Sequence, residues 1–383
     1  MKLSITDFID KVRSIYKEDF IPLHRPMLNG NENKYLQDCI DSNFVSSAGE
    51  MIIDFEKMIA SYTKSKYAVS TSNGTSALHI SLLLSGVEEN TEVITQALTF
   101  VATGNAISYC NARPIFLDVD KLTMGLCPKA LKKFLTEKTY IKENSLFNKS
   151  TDKRISACVP MHTFGHPCQI EEISNICKEF NLPLVEDAAE SLGSLYKGNH
   201  TGKYGLISAI SFNGNKVITT GGGGMIVTDD EELAKKAKHL TTTAKVPHQY
   251  EYIHDEIGYN YRMPNLNAAL GIAQFENLKT FLEKKRQVTE EYASFFESFN
   301  DVIFFKEPES ASSNYWLNAI ILNDSHEKNE FLKITNDANI MTRPIWKLLS
   351  SLDMFADCET DELINSRWLE DRVINIPSSV PHE

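Results

Sequence analysis

The sequence predicts an α/β protein with a mainly parallel central sheet in a large domain and a smaller C-terminal α/β domain. Three observations carry this. Short apolar runs alternate with longer amphipathic stretches from about Tyr67 to Asp229, the pattern of successive βα units. One apolar run, beginning at Leu182, ends in Glu186 and Asp187, and carboxylates at the end of a buried parallel strand point into the ligand crevice of an open sheet. Finally, 383 residues are many for one core. A long helical pattern rich in Glu and Lys begins after the Tyr-Arg-Met-Pro-Asn segment, which sets the expected division at residues 1–264 and 265–383.

Taken in order, Met1 to Phe20 mixes acids and bases where a secretory leader has an apolar core, and no segment reaches the ~18 apolar residues of a membrane span. Seven cysteines, an odd number without paired spacing, suit a reducing compartment. The expected location is the cytoplasm, with no membrane partner. A formal charge of −12 argues against a general nucleic-acid surface. Val69 to Ile80 reads as strand, tight turn at Asn73-Gly74, then a helix opened by Thr75 and Ser76; such a helix N-terminus is a ready phosphate site or simply a capped turn. Glu92 to Thr103 is a second strand and turn, where Phe100 either stacks on a ring at the sheet edge or packs in the core. Thr123 to Ser156 is more polar and reads as helix, then surface loop. His162, His166 and Cys168 lack a second ligand cluster, so no metal is predicted.

Lys216 is the most informative residue. It is the only charged side chain between Lys203 and Asp229, and Gly221 to Gly224 follow it. An amine that forms a Schiff base must be partly neutral near pH 7, which burial or a nearby cation achieves. The glycines would let the backbone pass close to a planar cofactor. Asp187 precedes Lys216 by 29 residues (216 − 187), room for one more strand and turn. An aspartate in that place can keep a pyridine nitrogen protonated, or it can cap the next helix.

These segments resemble the DegT/DnrJ/StrS family of sugar aminotransferases, which use pyridoxal phosphate on a fold-type-I scaffold. The resemblance runs from Pro22 to Pro26 and Gly30, through Asn73 to Thr75, Thr99 to Thr103, Val159 to Pro167, Glu186 to Ala189 and Ser211 to Gly224, to Gly258 to Met263. It implies that Lys216 is the catalytic lysine that anchors the cofactor and that Asp187 partners the pyridine nitrogen. Gly74, Thr75, Ser76 and Ser211 are implied at the phosphate, Phe100 against the ring, and Glu190 beside the cofactor hydroxyl, where many members carry Gln or His. Asn260 matches the asparagine that reaches the phosphate of the neighbouring subunit, which implies a homodimer with shared sites.

Within the family the chain is most similar to enzymes that aminate C4 of UDP-linked 4-keto-6-deoxy-N-acetylhexosamines, as in bacillosamine and legionaminic acid pathways. His162 to Pro167, Ala244 to His248, His254 to Glu256 and Thr342 to Trp346 carry that likeness. It implies a nucleotide-sugar acceptor, an amino-acid donor (glutamate by resemblance), and substrate contacts from His162, Phe164, Tyr261, Arg262 and Arg343. The related dehydratase branch replaces the lysine with histidine, so Lys216 argues against it. A non-catalytic regulator would be expected to have lost Lys216 or Asp187.

Overall fold

The computed structural model describes residues 2–382. Three helices open the chain: α1 (Ile5–Tyr16), α2 (Glu32–Ser42) and α3 (Glu50–Thr63). The βα alternation follows with β1 (Tyr67–Thr71), α4 (Gly74–Leu84), β2 (Glu92–Gln96), α5 (Val101–Tyr109) and β3 (Arg113–Leu117). Then come α6 (Pro128–Lys138), a hairpin of β4 (Thr139–Lys142) and β5 (Ser145–Asn148), β6 (Arg154–Val159), α7 (Ile170–Glu179) and β7 (Val185–Asp187). The stretch expected as a surface loop thus contains a hairpin. Tyr140 and Phe147 stack across it at 5.8 Å, and Leu146 turns into the core, so cross-strand packing outweighs the polar composition.

A short ribbon of β8 (Leu195–Tyr196) and β9 (Asn199–His200) precedes β10 (Ile207–Ser211) and β11 (Gly224–Thr228). β3, β2 and β6 are parallel neighbours. Parallel bridges from Cys158 to Leu184 and Met161 to Asp187 carry the order on to β7, and β10 lies parallel beside it. β11 runs antiparallel between β10 and β1. The expected mainly parallel sheet is therefore present, with β11 and the hairpin strand β5 reversed. β2 and β10 are buried along their whole length, as a sheet covered on both faces requires.

After α8 (Glu231–Thr241), an exposed hairpin of β12 (Lys245–Val246) and β13 (Ile253–His254) leads to α9 (Asn265–Glu276) and α10 (Leu278–Phe296). β14 (Ile303–Phe304), β15 (Ala311–Ser312), β16 (Asn318–Ile321), α11 (Ser325–Asp337), β17 (Arg343–Pro344), α12 (Ile364–Glu370) and β18 (Val373–Ile376) complete the chain. β14, β16, β18 and β17 form a separate antiparallel sheet in that order.

The division at 264/265 coincides with the start of α9, but α9 packs on α2 and α3, with Gly271 set closely against Phe55. α1 instead sends Phe8, Val12 and Tyr16 into the core around Phe296, Ile320 and Ile374. The first helix therefore packs with the last third of the chain, because its amphipathic face matches an apolar surface that lies far away in sequence. Among the described residues no helix is long and apolar enough to cross a membrane.

Candidate active site

A cleft of about 760 Å³ opens between the ends of the parallel strands and the C-terminal sheet, with Thr75, Phe100, Asp187, Lys216, Trp316 and Arg343 among its lining residues. Each element delivers its residue by local chemistry. α4 begins at the C-terminal end of β1, and Asn73 caps it by accepting the Ser76 N–H at 2.8 Å. Among the described residues, none accepts from the amides of Gly74 and Thr75 at that terminus. A Cβ on Gly74 would stand 2.7 Å from the Ser211 Cβ, so glycine is what lets the end of β10 approach the helix N-terminus. Thr75 and Ser211 line the cleft. Ser76 is buried behind them, its Oγ turned to Ser72 Oγ at 3.3 Å.

β7 ends at Asp187, which is buried. Its carboxylate accepts from Thr103 Oγ1 at 2.8 Å and from the Ala189 N–H at 3.2 Å. Burial pushes the carboxyl above its usual range, and these hydrogen bonds with the Lys216 charge hold it down. Glu190 Oε1 lies 3.2 Å from Lys216 Nζ, and its other oxygen accepts the Phe164 N–H at 2.9 Å. Burial raises this carboxyl to about 7 despite the lysine beside it. Lys216 Nζ also sits 3.9 Å from the centre of the Trp316 ring. Phe100 precedes α5 and stands 48% exposed at the cleft, with Trp346 6.1 Å away.

Several expected positions fall elsewhere. The glycine run does not line the cleft: Gly224 passes so near Asn73 that a Cβ would lie 2.4 Å from its carbonyl, and Gly223 is packed on Thr220. Those glycines serve strand packing beneath the helix terminus. His162 is fully buried; its Nε2 donates to Glu186 Oε2 at 3.1 Å and its Nδ1 accepts the Cys168 N–H at 3.2 Å. That arrangement leaves no ring nitrogen for a substrate. Glu186 also accepts the amides of Gly202, Tyr204 and Gly205, so it holds the loop under the sheet rather than entering the cleft. Phe164 is buried with a left-handed φ of 57° and packs on Trp346 at 4.9 Å. The Arg262 guanidinium is internal, bonded to Glu56 and to the Ser70 carbonyl. Tyr261 stacks on Tyr259 at 5.1 Å beside His79. Of the five residues expected to touch substrate, Arg343 alone lines the cleft; its Nη1 donates to Asn336 Oδ1 and the Thr342 carbonyl. Asn260 is exposed, fixed by a backbone bridge to Thr242.

Thr103 and Trp316 were not singled out in the sequence. Thr103 follows Phe100 by one helical turn on α5, a spacing that would have placed it at the same sheet edge. Trp316 comes from the C-terminal third, and no local pattern ties it to Lys216.

An amine and two buried carboxylates beside a helix N-terminus whose first amides stay open are what a phosphorylated carbonyl cofactor needs. The model of the DegT/DnrJ/EryC1/StrS aminotransferase family matches residues 26–382. The chain belongs to this family. GDP-perosamine synthase of Escherichia coli O157:H7 is 38% identical over 94% of this chain and 93% of its own. The enzyme of the same name from Vibrio cholerae is 35% identical over 94% of each. Among solved structures, Helicobacter pylori PseC, an aminotransferase involved in the biosynthesis of pseudoaminic acid, is 22% identical and superimposes with a TM-score of 0.83 over 94% of this chain and 93% of that one. The family's aminotransferases are pyridoxal phosphate-dependent.

The residues present fit that cofactor. Free amides with Thr75 and Ser211 suit its phosphate, Asp187 suits its pyridine nitrogen, and Lys216 suits its carbonyl.

Proposed function

We propose that this enzyme moves an amine from an amino acid, glutamate by family likeness, to C4 of a nucleotide-linked 4-keto-6-deoxy sugar. The observation that carries the reading is the convergence of Lys216, Asp187 and the α4 N-terminus on one cleft. When bound, pyridoxal phosphate supplies a carbonyl that takes up the amine and a ring that withdraws electrons. Asp187 keeps a negative charge at the ring nitrogen in a site shielded from water. Lys216, once free, takes a proton from the substrate carbon and returns it one position along. Arg343 and Trp346 line the same cleft and are the residues we assign to the sugar nucleotide.

The two relatives named for a GDP-linked sugar align over more than nine-tenths of either chain, which supports a guanosine diphosphate acceptor. Three of the four segments behind the UDP-N-acetylhexosamine expectation lie outside the cleft of their own chain: the one around His162 is buried, and two belong to the β12–β13 hairpin. Turnover with glutamate across a panel of GDP- and UDP-linked 4-keto-6-deoxy sugars decides this, with amination of a GDP-linked acceptor as the expected result. Turnover of UDP-linked acceptors alone would restore the other assignment.

We infer also that the working unit is a homodimer with shared sites. Asn260 faces solvent next to a hairpin that exposes Tyr250, Tyr252 and Ile257, a surface suited to a second copy. Mixing Lys216→Ala chains with Asn260→Ala chains should regain activity, since hybrid dimers contain one site with both residues intact. Mixtures shown to exchange subunits yet recovering none would refute the shared site.

A further inference from the structure

We propose that Glu190 and Trp316 form a holding site for the free Lys216 amine, stabilising it as an ammonium ion and keeping it at the cleft whenever it is not bonded to the cofactor. The inference rests on the reading of Lys216 as the proton carrier. Both partners touch the same nitrogen, the carboxylate at 3.2 Å and the indole face at 3.9 Å from its centre. Charge-assisted hydrogen bonding and cation–π attraction both favour the protonated form, and both strengthen away from water. Glu190 is 3% exposed and Trp316 5%.

The two groups are built in rather than incidental. The free oxygen of Glu190 takes the Phe164 N–H, which the left-handed turn at Phe164 aims inward. Trp316 Nε1 donates to the carbonyl of Asn215, the residue before Lys216, at 2.6 Å. A single buried side chain joins both halves: Asn314 Oδ1 accepts the Trp316 N–H at 2.8 Å, and its Nδ2 donates to the Glu190 carbonyl at 2.8 Å. Trp316 directly precedes Leu317 and β16, so the holding site links the C-terminal sheet to the lysine loop. Asp187 and His24 are also titratable groups within electrostatic reach of Lys216; burial and the nearby lysines keep the His24 ring neutral, and the Asp187 carboxylate accepts from Thr103 and Ala189.

The proton balance is simple. Neutral Lys216 takes one proton from the substrate carbon and becomes an ammonium held by Glu190 and the ring; it then gives that proton up and is neutral again. Glu190 gains and loses nothing in the cycle. Because burial raises its carboxyl to about 7, the strength of the hold responds to pH near neutrality.

The test needs no turnover. Full-length, cofactor-free protein is labelled with trace acetic anhydride near neutral pH, and the Lys216 peptide is quantified by mass spectrometry against the other lysines. Because only neutral amines react, Glu190→Gln and Trp316→Leu should each raise relative labelling of Lys216 by about fivefold, whereas Trp316→Phe, which keeps a ring face, should stay near the parent. The difference should close at high pH, where every lysine is neutral. Unchanged labelling in folded Glu190→Gln and Trp316→Leu proteins would overturn the proposal, as would an increase that persists at high pH and so reports access alone. Since substrate is absent, this result can fail while the aminotransferase reading stands, and the converse also holds.

Discussion

Replacing Lys216 by alanine is expected to lower turnover by about 10⁴-fold or more while leaving the fold intact. The loss is large because one amine both anchors the cofactor and carries the proton. The fold should survive because the lysine loop is held by hydrogen bonds that do not involve the Lys216 side chain: Thr220 N–H to the Phe212 carbonyl, Phe212 N–H to the Gly223 carbonyl, and the Asn267 side chain to the carbonyls of Thr220 and Gly222. The checks are steady-state rates beside a thermal melt. Near-normal multiple turnover by a folded Lys216→Ala protein would end the account of this site.

Asp187→Asn has the second-largest expected effect, and it separates function from stability. Removing one partner of a buried charged pair costs about 3 kcal/mol, or ~100-fold in rate if that pairing is made in the transition state. The cofactor-free fold should not suffer. Burial already disfavours the Asp187 charge, and the amide oxygen of asparagine can still accept the bond from Thr103 Oγ1. The variant is therefore expected to melt no earlier than its parent without cofactor, while gaining less from added cofactor because ligand stabilisation scales with affinity. A rate within tenfold of the parent would exclude Asp187 as the partner of the ring nitrogen.

The parts of the molecule that were legible in the sequence are those fixed by local chemistry. The strand, turn and capped helix at Val69 to Leu84 follow from Asn73-Gly74 and an apolar period. The carboxylate at the end of β7 follows from an apolar run that stops at a charge. Lys216 stood out because nothing else charged lies near it in the chain. What was not legible depends on contacts between distant segments. His162 and Arg262 are expected as substrate contacts through family resemblance; only the folded chain reveals that Glu186 and Glu56 engage them. Trp316 lies 100 residues beyond Lys216 (316 − 216) and meets it through the docking of the C-terminal sheet. The glycine run was assigned to the cofactor because glycine permits close approach, which is correct physics applied to the wrong neighbour: the close approach is to Asn73.

The central claim is that Lys216 and Asp187 serve amine transfer from an amino acid to a keto sugar. Purified enzyme loaded with pyridoxal phosphate, given glutamate carrying isotope-labelled nitrogen and then a GDP-linked 4-keto-6-deoxy sugar, tests it in one mass measurement on the sugar product. The account predicts loss of the visible band of the lysine-bound cofactor on adding glutamate, its return on adding the sugar, and labelled nitrogen at C4. A band that glutamate leaves unchanged, with no labelled nitrogen in any sugar of the GDP- and UDP-linked panel, would contradict it.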